Sequence, residues 1–442
     1  MEYSNFLRDR RGVIAIVVAL SLVPILLATG AAIDFGRAYA VKARLGYALD
    51  AAGLAVGSSD PNRDDLDQVF RKYFYANFPS TELGTITSLS MTADGGVIDI
   101  AASASVETTF LKIINKDRID VQVSAKIVRE TKGLEVVLVM DNTGSMNSGG
   151  KLTTLKAAAN EMVDILFAGQ TVADKLYVGL VPFSGSVNIG AADWPNRDDF
   201  INDYSGLNWG TSQWFGCVMA RAYPHDVRDT SVAVGGKWNV LYWADHNTFN
   251  DWIQGGSYNI SEPATRGPNK QCPQEVTPLT NVKANLTPKI NGMVAVGNTH
   301  VNIGAIWGLR LISADPPFTE GVPYGTEGWN KAIVILTDGE NTASNSVYTA
   351  YGYLSQGVLG TTNAATAEAR LDQRLSEICT NMKNVGIIVY TITFQLNTSS
   401  TQALYRACAT DPNKYYNSPT LETLRDAFRS IGAELSNLRI AE

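Results

Sequence analysis

A run with the pattern of a strand buried on both faces, Val136-Val137-Leu138-Val139-Met140, passes directly into Asp141-Asn142-Thr143-Gly144-Ser145-Met146. A carboxylate followed by hydroxyls at alternate positions puts three hard oxygen donors on one loop, the donor type that Mg²⁺, Mn²⁺ and Ca²⁺ select. The loop leaves the carboxyl end of a strand, which is where open parallel sheets gather their ligands. Taken singly, Asp141 or Ser145 in such a place caps a helix more often than it binds a metal. A second strand ending the same way shifts that balance, because Ala332-Ile333-Val334-Ile335-Leu336 leads into Thr337-Asp338-Gly339.

These residues resemble the metal-ion-dependent adhesion site of von Willebrand factor A domains. There a first loop carries Asp-x-Ser-x-Ser, a second supplies a threonine and a third an aspartate. Thr143 stands where the middle serine would be and keeps the hydroxyl. Thr299, in Gly297-Asn298-Thr299 ahead of a glycine-punctuated helix start at Asn302 to Leu309, matches the second loop, and Asp338 matches the third. The resemblance implies that Asp141, Thr143, Ser145, Thr299 and Asp338 hold a divalent cation directly or through water. Mg²⁺ is the expected ion, with Mn²⁺ or Ca²⁺ as alternatives, and Glu340 is expected to point away. It further implies that the cation offers a coordination position to an acidic side chain of a protein partner.

The surrounding elements fit such a site. Lys151 to Phe167 places Leu152, Leu155, Ala158, Ala159, Met162, Val163 and Leu166 on one helical face. Leu176 to Phe183 reads as another buried strand. After a polar stretch from Asn341 to Thr366 come a helix over about 367–385, a strand over 387–394 and a closing amphipathic helix over 421–438. Strands alternating with helices imply an α/β fold, a doubly wound parallel sheet. Between about Ser184 and Asn291 the pattern stops, and six of the eight tryptophans gather there. A structureless loop of that length is not expected in a compact domain, so an inserted subdomain is predicted. Its aromatics would form either its own small core or a partner surface, and the core is favoured because exposed tryptophan is costly.

The chain has 442 residues, 45% hydrophobic and 18% charged, with a net charge of -7. That length calls for two or three domains. No Lys/Arg stripe invites nucleic acid. Three histidines and four scattered cysteines show no zinc spacing. No Gly-x-Ser-x-Gly elbow or Walker loop is present, and none of His225, His246 and His300 makes a plausible base, so the chain is not expected to be an enzyme. His300 is expected on a polar loop surface. If the body of the protein is exported, pairing of nearest cysteines predicts bonds Cys217–Cys272 and Cys379–Cys408. Composition alone leaves other pairings, and reduced buried thiols, open.

Arg8, Arg10 and Arg11 precede an uncharged apolar run from Val13 to Ile33, long enough to span a bilayer as a helix. Basic residues on the short side keep the amino terminus cytoplasmic and the rest outside. A cleaved signal peptide is the rival, since Ala28 to Ala32 includes small residues. The helical pattern nevertheless continues through Asp34 to Leu45 without a turn signal before Gly57-Ser58-Ser59-Asp60-Pro61, which favours a retained anchor. Processing after Gly12 in the manner of type IV pilins is the other rival, and the glutamate that such pilins carry early in the mature apolar segment is absent, position 17 being Val17, which speaks against it.

The basic start, Gly12, the apolar span with Pro24, then Asp34-Phe35-Gly36-Arg37 and Leu49-Asp50-Ala51-Ala52-Gly53-Leu54-Ala55, resemble the amino-terminal region of Tad/Flp pilus-assembly proteins. An anchor of this kind joined to an A domain is the TadG-like arrangement. Asp34 and Asp50 read as ordinary surface charge on a long helix. A short amphipathic helix from about Asp64 to Phe78 and alternating strands over 86–91, 97–106 and 119–128, the first two joined at Asp94-Gly95-Gly96, form a small α+β spacer. The expected layout is residues 1–12 cytoplasmic, 13–33 spanning, 34–58 continuing helix, 59–132 spacer and 133–442 A domain, with the insertion over about 184–291. The function this implies is adhesion or assembly in a Tad-type pilus system through metal-held acidic contacts. A metal-independent scaffold or chaperone of the envelope is the alternative, and a metal-assisted hydrolase a more remote one.

Overall fold

The computed structural model describes residues 11–59, 65–79, 84–94, 97–128, 132–245 and 248–438. Arg8, Arg10, Gly95, Gly96 and His246 lie outside the described residues. The chain divides into two compact units, Met1–Thr131 with Ile440–Glu442, and Lys132–Arg439.

In the first unit, helix α1 (Arg11–Gly57) runs without interruption through Pro24. At 1.5 Å per residue it is about 70 Å long, more than twice a bilayer's hydrocarbon thickness. Among the described residues this is the one helix long and apolar enough to cross a membrane. Residues 16–29 are almost all exposed, whereas its second half buries Ala38, Val41, Leu45, Ala48, Leu49, Ala52 and Val56. Those positions recur every three or four residues, one face of a helix. They meet Phe70 and Phe74 of α2 (Leu66–Asn77), and the inward residues Ile98, Ile100, Ala102, Ala104 and Val106 of a sheet. That sheet is antiparallel, with β2 (Val97–Glu107) between β1 (Thr85–Asp94) and β3 (Arg118–Val128). Asp34 differs from the surface charge expected of it: it is 2% exposed and accepts three backbone hydrogen bonds.

The second unit is α/β, a doubly wound sheet, as the strand and helix alternation implied. Its parallel part has the order β13 (Tyr415–Ser418), β12 (Ile388–Phe394), β11 (Trp329–Thr337), β4 (Gly133–Asp141), β5 (Leu176–Phe183). Beyond β5 the sheet turns antiparallel through β6 (Val187–Asn188) and β7 (Cys217–Val218). The insertion also supplies a hairpin, β8 (Ile253–Gln254) with β9 (Ser257–Tyr258), and β10 (Thr277–Thr280), which pairs antiparallel with β5.

Every residue of β4 is buried, and alternate residues serve opposite layers. Leu134, Val136, Leu138 and Met140 pack with α3 (Lys151–Phe167) and with a closing helix, Leu421–Asn437. Val137 and Val139 pack with α4 (Val301–Leu311) and α5 (Ala364–Asn384). Two glycines one turn apart let α4 approach the sheet, because a Cβ at Gly304 would lie 2.6 Å from the Phe183 ring and one at Gly308 2.7 Å from Val139 Cγ2. A short helix that sequence periodicity did not separate, α6 (Ser399–Cys408), precedes β13, and the closing helix is α7 (Leu421–Asn437).

Four of the insertion's six tryptophans are interior residues, and Trp194 and Trp209 are half-buried. Trp214, Trp238, Trp243 and Trp252 are buried, and Trp214 and Trp238 share one core with Val137, Val139 and α4. Both expected disulfides are present, Cys217–Cys272 within the insertion and Cys379–Cys408 between α5 and the end of α6.

Candidate metal centre

Neighbouring strands β4 and β11 diverge in their onward connections, so their carboxyl ends form a switch point where the loops from each part. Leu336 is in register with Met140, which sets Thr337-Asp338 beside Asp141 although 197 residues separate the two aspartates along the chain. Asp141 is fully buried. Its Oδ1 accepts the Thr143 N–H at 2.8 Å, and its Oδ2 accepts the Thr337 hydroxyl at 2.7 Å and the Asp338 N–H at 3.4 Å. These bonds fix the loop that follows.

The hydroxyls converge on the second aspartate. Thr143 Oγ1 and Ser145 Oγ are 2.9 Å apart, and Ser145 Oγ donates to Asp338 Oδ1 at 2.5 Å. A Cβ at Gly339 would lie 3.4 Å from Thr299 Oγ1 and 4.0 Å from Ser145 Oγ, so the second loop brings its threonine to the same place. All five residues singled out from the sequence are therefore gathered around one point. Glu340 is exposed.

Three further residues hold this arrangement, and sequence reasoning passed over them. Lys151, the first residue of α3, puts Nζ 2.7 Å from Asp338 Oδ2, with its side chain 14% exposed and that of Asp338 wholly buried. Thr342 braces the second loop: its hydroxyl accepts the Thr299 N–H at 3.3 Å and its own N–H donates to the Thr299 carbonyl at 3.1 Å. Asn341 Oδ1 accepts the Val301 N–H at 2.9 Å, satisfying one of the open donors at the start of α4. The first and second loops are also stitched directly, by Gly144 N–H to the Gly297 carbonyl at 3.0 Å and Val296 N–H to the Asn142 carbonyl at 2.7 Å. From behind, the 341–366 stretch links α4 to the insertion and to α5: Asn302 donates to the Tyr351 hydroxyl at 2.9 Å, which donates to Asp226 of the insertion at 2.9 Å, itself paired with Arg374 at 2.5 Å. The signal for Lys151 was its place at the start of the helix after the loop; nothing local marked Tyr351 or Asp226.

Burial and then the charge of Asp338 push the Asp141 carboxyl up to about 6. A divalent cation beside the pair would relieve that repulsion. Among the described residues no three His, Cys, Asp or Glu side chains cluster, so the set depends on hydroxyls beside two carboxylates. Oxygen donors of this kind fit Mg²⁺, Mn²⁺ or Ca²⁺ and are unsuited to zinc-type sulfur or imidazole coordination. His300 corrects the expectation of a surface histidine: it is buried, its Nε2 lies 3.0 Å from the Thr342 carbonyl, and burial lowers it to about 4. It is a neutral packing residue at neutral pH.

Residues 12–59 match a family model described as putative Flp pilus-assembly TadE/G-like. The amino-terminal region is thus similar to TadE/G-like proteins over α1. No curated protein matches the chain. Solved structures similar to it include the vWF domain of the type V pili tip protein Mfa5 from Porphyromonas gingivalis, 13% identical, covering 71% of this chain and 97% of that one at a TM-score of 0.39. The pilus adhesin SpaC from Lactobacillus rhamnosus GG is also 13% identical, covering 81% of this chain and 35% of its own at 0.38. Proximal thread matrix protein 1 from the mussel byssus, with a zinc-occupied MIDAS motif, is 10% identical, covering 70% and 47% at 0.34. These are distant likenesses, at 10–13% identity.

Proposed function

We propose that this chain is a membrane-anchored, extracytoplasmic protein of a Tad/Flp-type pilus system that binds an acidic group of a protein partner through a divalent cation, Mg²⁺ first among the candidates. The observation that carries the reading is the convergence of Thr143, Ser145 and Thr299 with Asp141 and Asp338 on one spot at the sheet's switch point. Thr143, Ser145 and Thr299 would hold the ion as neutral donors, while Asp141, already engaged by three hydrogen bonds, would act through water. When bound, the ion supplies an electrophilic position for an incoming Asp or Glu. With Lys151 beside Asp338, the site's own charge is one negative unit, so a divalent ion leaves it positive and favours an anionic partner.

The match of residues 12–59 supports pilus association, and the length and apolar exposure of α1 support a single anchor. Two disulfides support an oxidising compartment for the second unit, which agrees with a cytoplasmic amino terminus. The test is Mn²⁺ binding by the full chain in detergent, read from the electron paramagnetic resonance of free Mn²⁺, beside Thr299→Ala and Asp338→Ala. Saturable binding by the wild type and its loss in both variants is the expected result; no binding by the wild type refutes the metal-dependent mechanism. A second reading, a metal-independent scaffold, is favoured by one observation: the Lys151 ammonium neutralises Asp338 by itself. Full function of an Asp338→Asn variant in pilus assembly would select it.

A further inference from the structure

Residues 108–118 are fastened to α1 where its apolar run ends. A Cβ at Gly30 would lie 2.5 Å from the Cβ of Phe110, so helix backbone and phenyl group meet only because position 30 is glycine. One turn on, Asp34 Oδ1 accepts the Thr109 N–H at 2.9 Å, and Oδ2 accepts those of Phe110 and Leu111 at 2.8 Å each. Arg37 Nη1 donates to Thr109 Oγ1 at 2.8 Å. The segment then makes a 3₁₀ turn, Leu111–Ile114, closed by Asn115 in the left-handed region at φ 62° and by the Thr108 hydroxyl on the Lys116 carbonyl.

This firmly held turn displays apolar side chains to solvent. Ile113 is 74% exposed, Ile114 54% and Phe110 38%, and Lys112 and Lys116 beside them are exposed too. Its attachment point gives the exposure a meaning. Gly30 belongs to the apolar run and Asp34 follows it, a rise of about 6 Å along the helix axis. The turn is therefore fixed at the border between hydrocarbon and water, beside helix surface on the same face that is itself exposed and apolar at Val23 and Leu26. Apolar side chains interleaved with lysines suit that border, since the former enter the acyl region while the ammonium groups stay with lipid phosphates. Asp117 is the acidic neighbour in sequence and follows the turn.

We propose that Phe110 to Lys116 form a second membrane contact, a turn seated in the outer interface of the bilayer, with Ile113 and Ile114 among the acyl chains and Lys112 and Lys116 on phosphate. The proposal rests on α1 being a membrane anchor and is independent of the metal centre. It would fix the rotation and depth of the first unit on the bilayer, which a single helix cannot do.

All four cysteines are paired, so Ile113→Cys gives the full chain a single thiol for an environment-sensitive nitrobenzoxadiazole label. The protein is reconstituted in phosphatidylcholine vesicles containing phosphatidylglycerol, with Leu20→Cys labelled in parallel to report on the span. The expected result is blue-shifted emission from position 113, quenched more by a nitroxide near the headgroup than by one near the chain end, and shielded from iodide. Deep quenching is expected at position 20. Lys112→Glu with Lys116→Glu should weaken the quenching at 113. A label at 113 quenched by iodide and untouched by lipid nitroxides, while position 20 is deeply quenched, overturns the proposal and leaves the anchor standing. Protection from both quenchers at 113 overturns it in favour of a protein contact, and no lipid quenching at 20 removes the anchor and this proposal together.

Discussion

Replacing Asp141 by asparagine should make the second unit more stable in the absence of metal and indifferent to metal, two effects of opposite apparent sign from one site. Burial, and next the charge on Asp338, raise the Asp141 carboxyl from 3.8 to about 6. A carboxyl raised in the folded state contributes stability that is complete below about pH 4 and is lost as pH rises through about 6. The penalty carried at pH 7 is about 3 kcal/mol. Asparagine carries no charge, and the Thr337 hydroxyl can rotate to serve its amide, so Asp141→Asn should recover up to about 3 kcal/mol at pH 7 in chelator. That advantage should vanish near pH 4.

Metal acts in the other direction. Saturating Mg²⁺ at a hundred times its Kd adds about 2.7 kcal/mol to the wild type, or about 4 °C in Tm for a unit of about 300 residues, and nothing to the variant. All eight tryptophans, from Trp194 to Trp329, lie in the second unit, so tryptophan fluorescence during thermal unfolding of the full chain reports that unit selectively. Curves for wild type and variant that coincide with chelator and with Mg²⁺, or a variant less stable in chelator at pH 7, would refute the reasoning.

Lys151→Met removes the cation that shares Asp338, and Mn²⁺ titration should show binding at least about tenfold tighter, at the expense of stability in chelator; weaker binding would assign Lys151 a supporting role instead. Asp34→Ala strips the acceptor from three N–H groups, and hydrogen exchange at Thr109, Phe110 and Leu111 should quicken by about tenfold or more while Ile100 in β2 is unchanged. Cys379→Ser with Cys408→Ser opens a loop with a sequence separation of 29 residues and should cost about 3–4 kcal/mol, read as a lower denaturant midpoint with a slope no smaller than the wild type's, because the uncrosslinked unfolded chain exposes more surface.

Much of the second unit's framework was legible because it depends on local periodicity. The fully apolar run before Asp141 had to be a strand covered on both faces, and the helical spacing of Leu155, Ala158, Ala159, Met162, Val163 and Leu166 had to face a sheet. The loop chemistry was equally local, since Asp141, Thr143 and Ser145 lie within five consecutive residues. Nearest-neighbour pairing of cysteines held because the shortest closures were also the ones that the packing allowed.

What escaped the sequence depends on partners far along the chain. Asp34 looked like surface charge until Thr109, Phe110 and Leu111 supplied their N–H groups, and His300 looked exposed until the Asn341-Thr342 segment covered it. Lys151 had the pattern of an ordinary first helical residue, but 187 residues separate it from the carboxylate it meets. The insertion is the extreme case: β6, β7 and β10 are strands of two to four residues, too short for any periodicity, and they exist because the edge of β5 offers unpaired backbone groups to β6 and β10, and β6 in turn to β7. The sequence by itself determined which elements form and which loops carry donors, because those follow from side-chain pattern within a dozen residues. Only the tertiary structure decided which donors meet and which charges are buried, because register between β4 and β11 and the closure of the insertion over α4 are properties of the packed core.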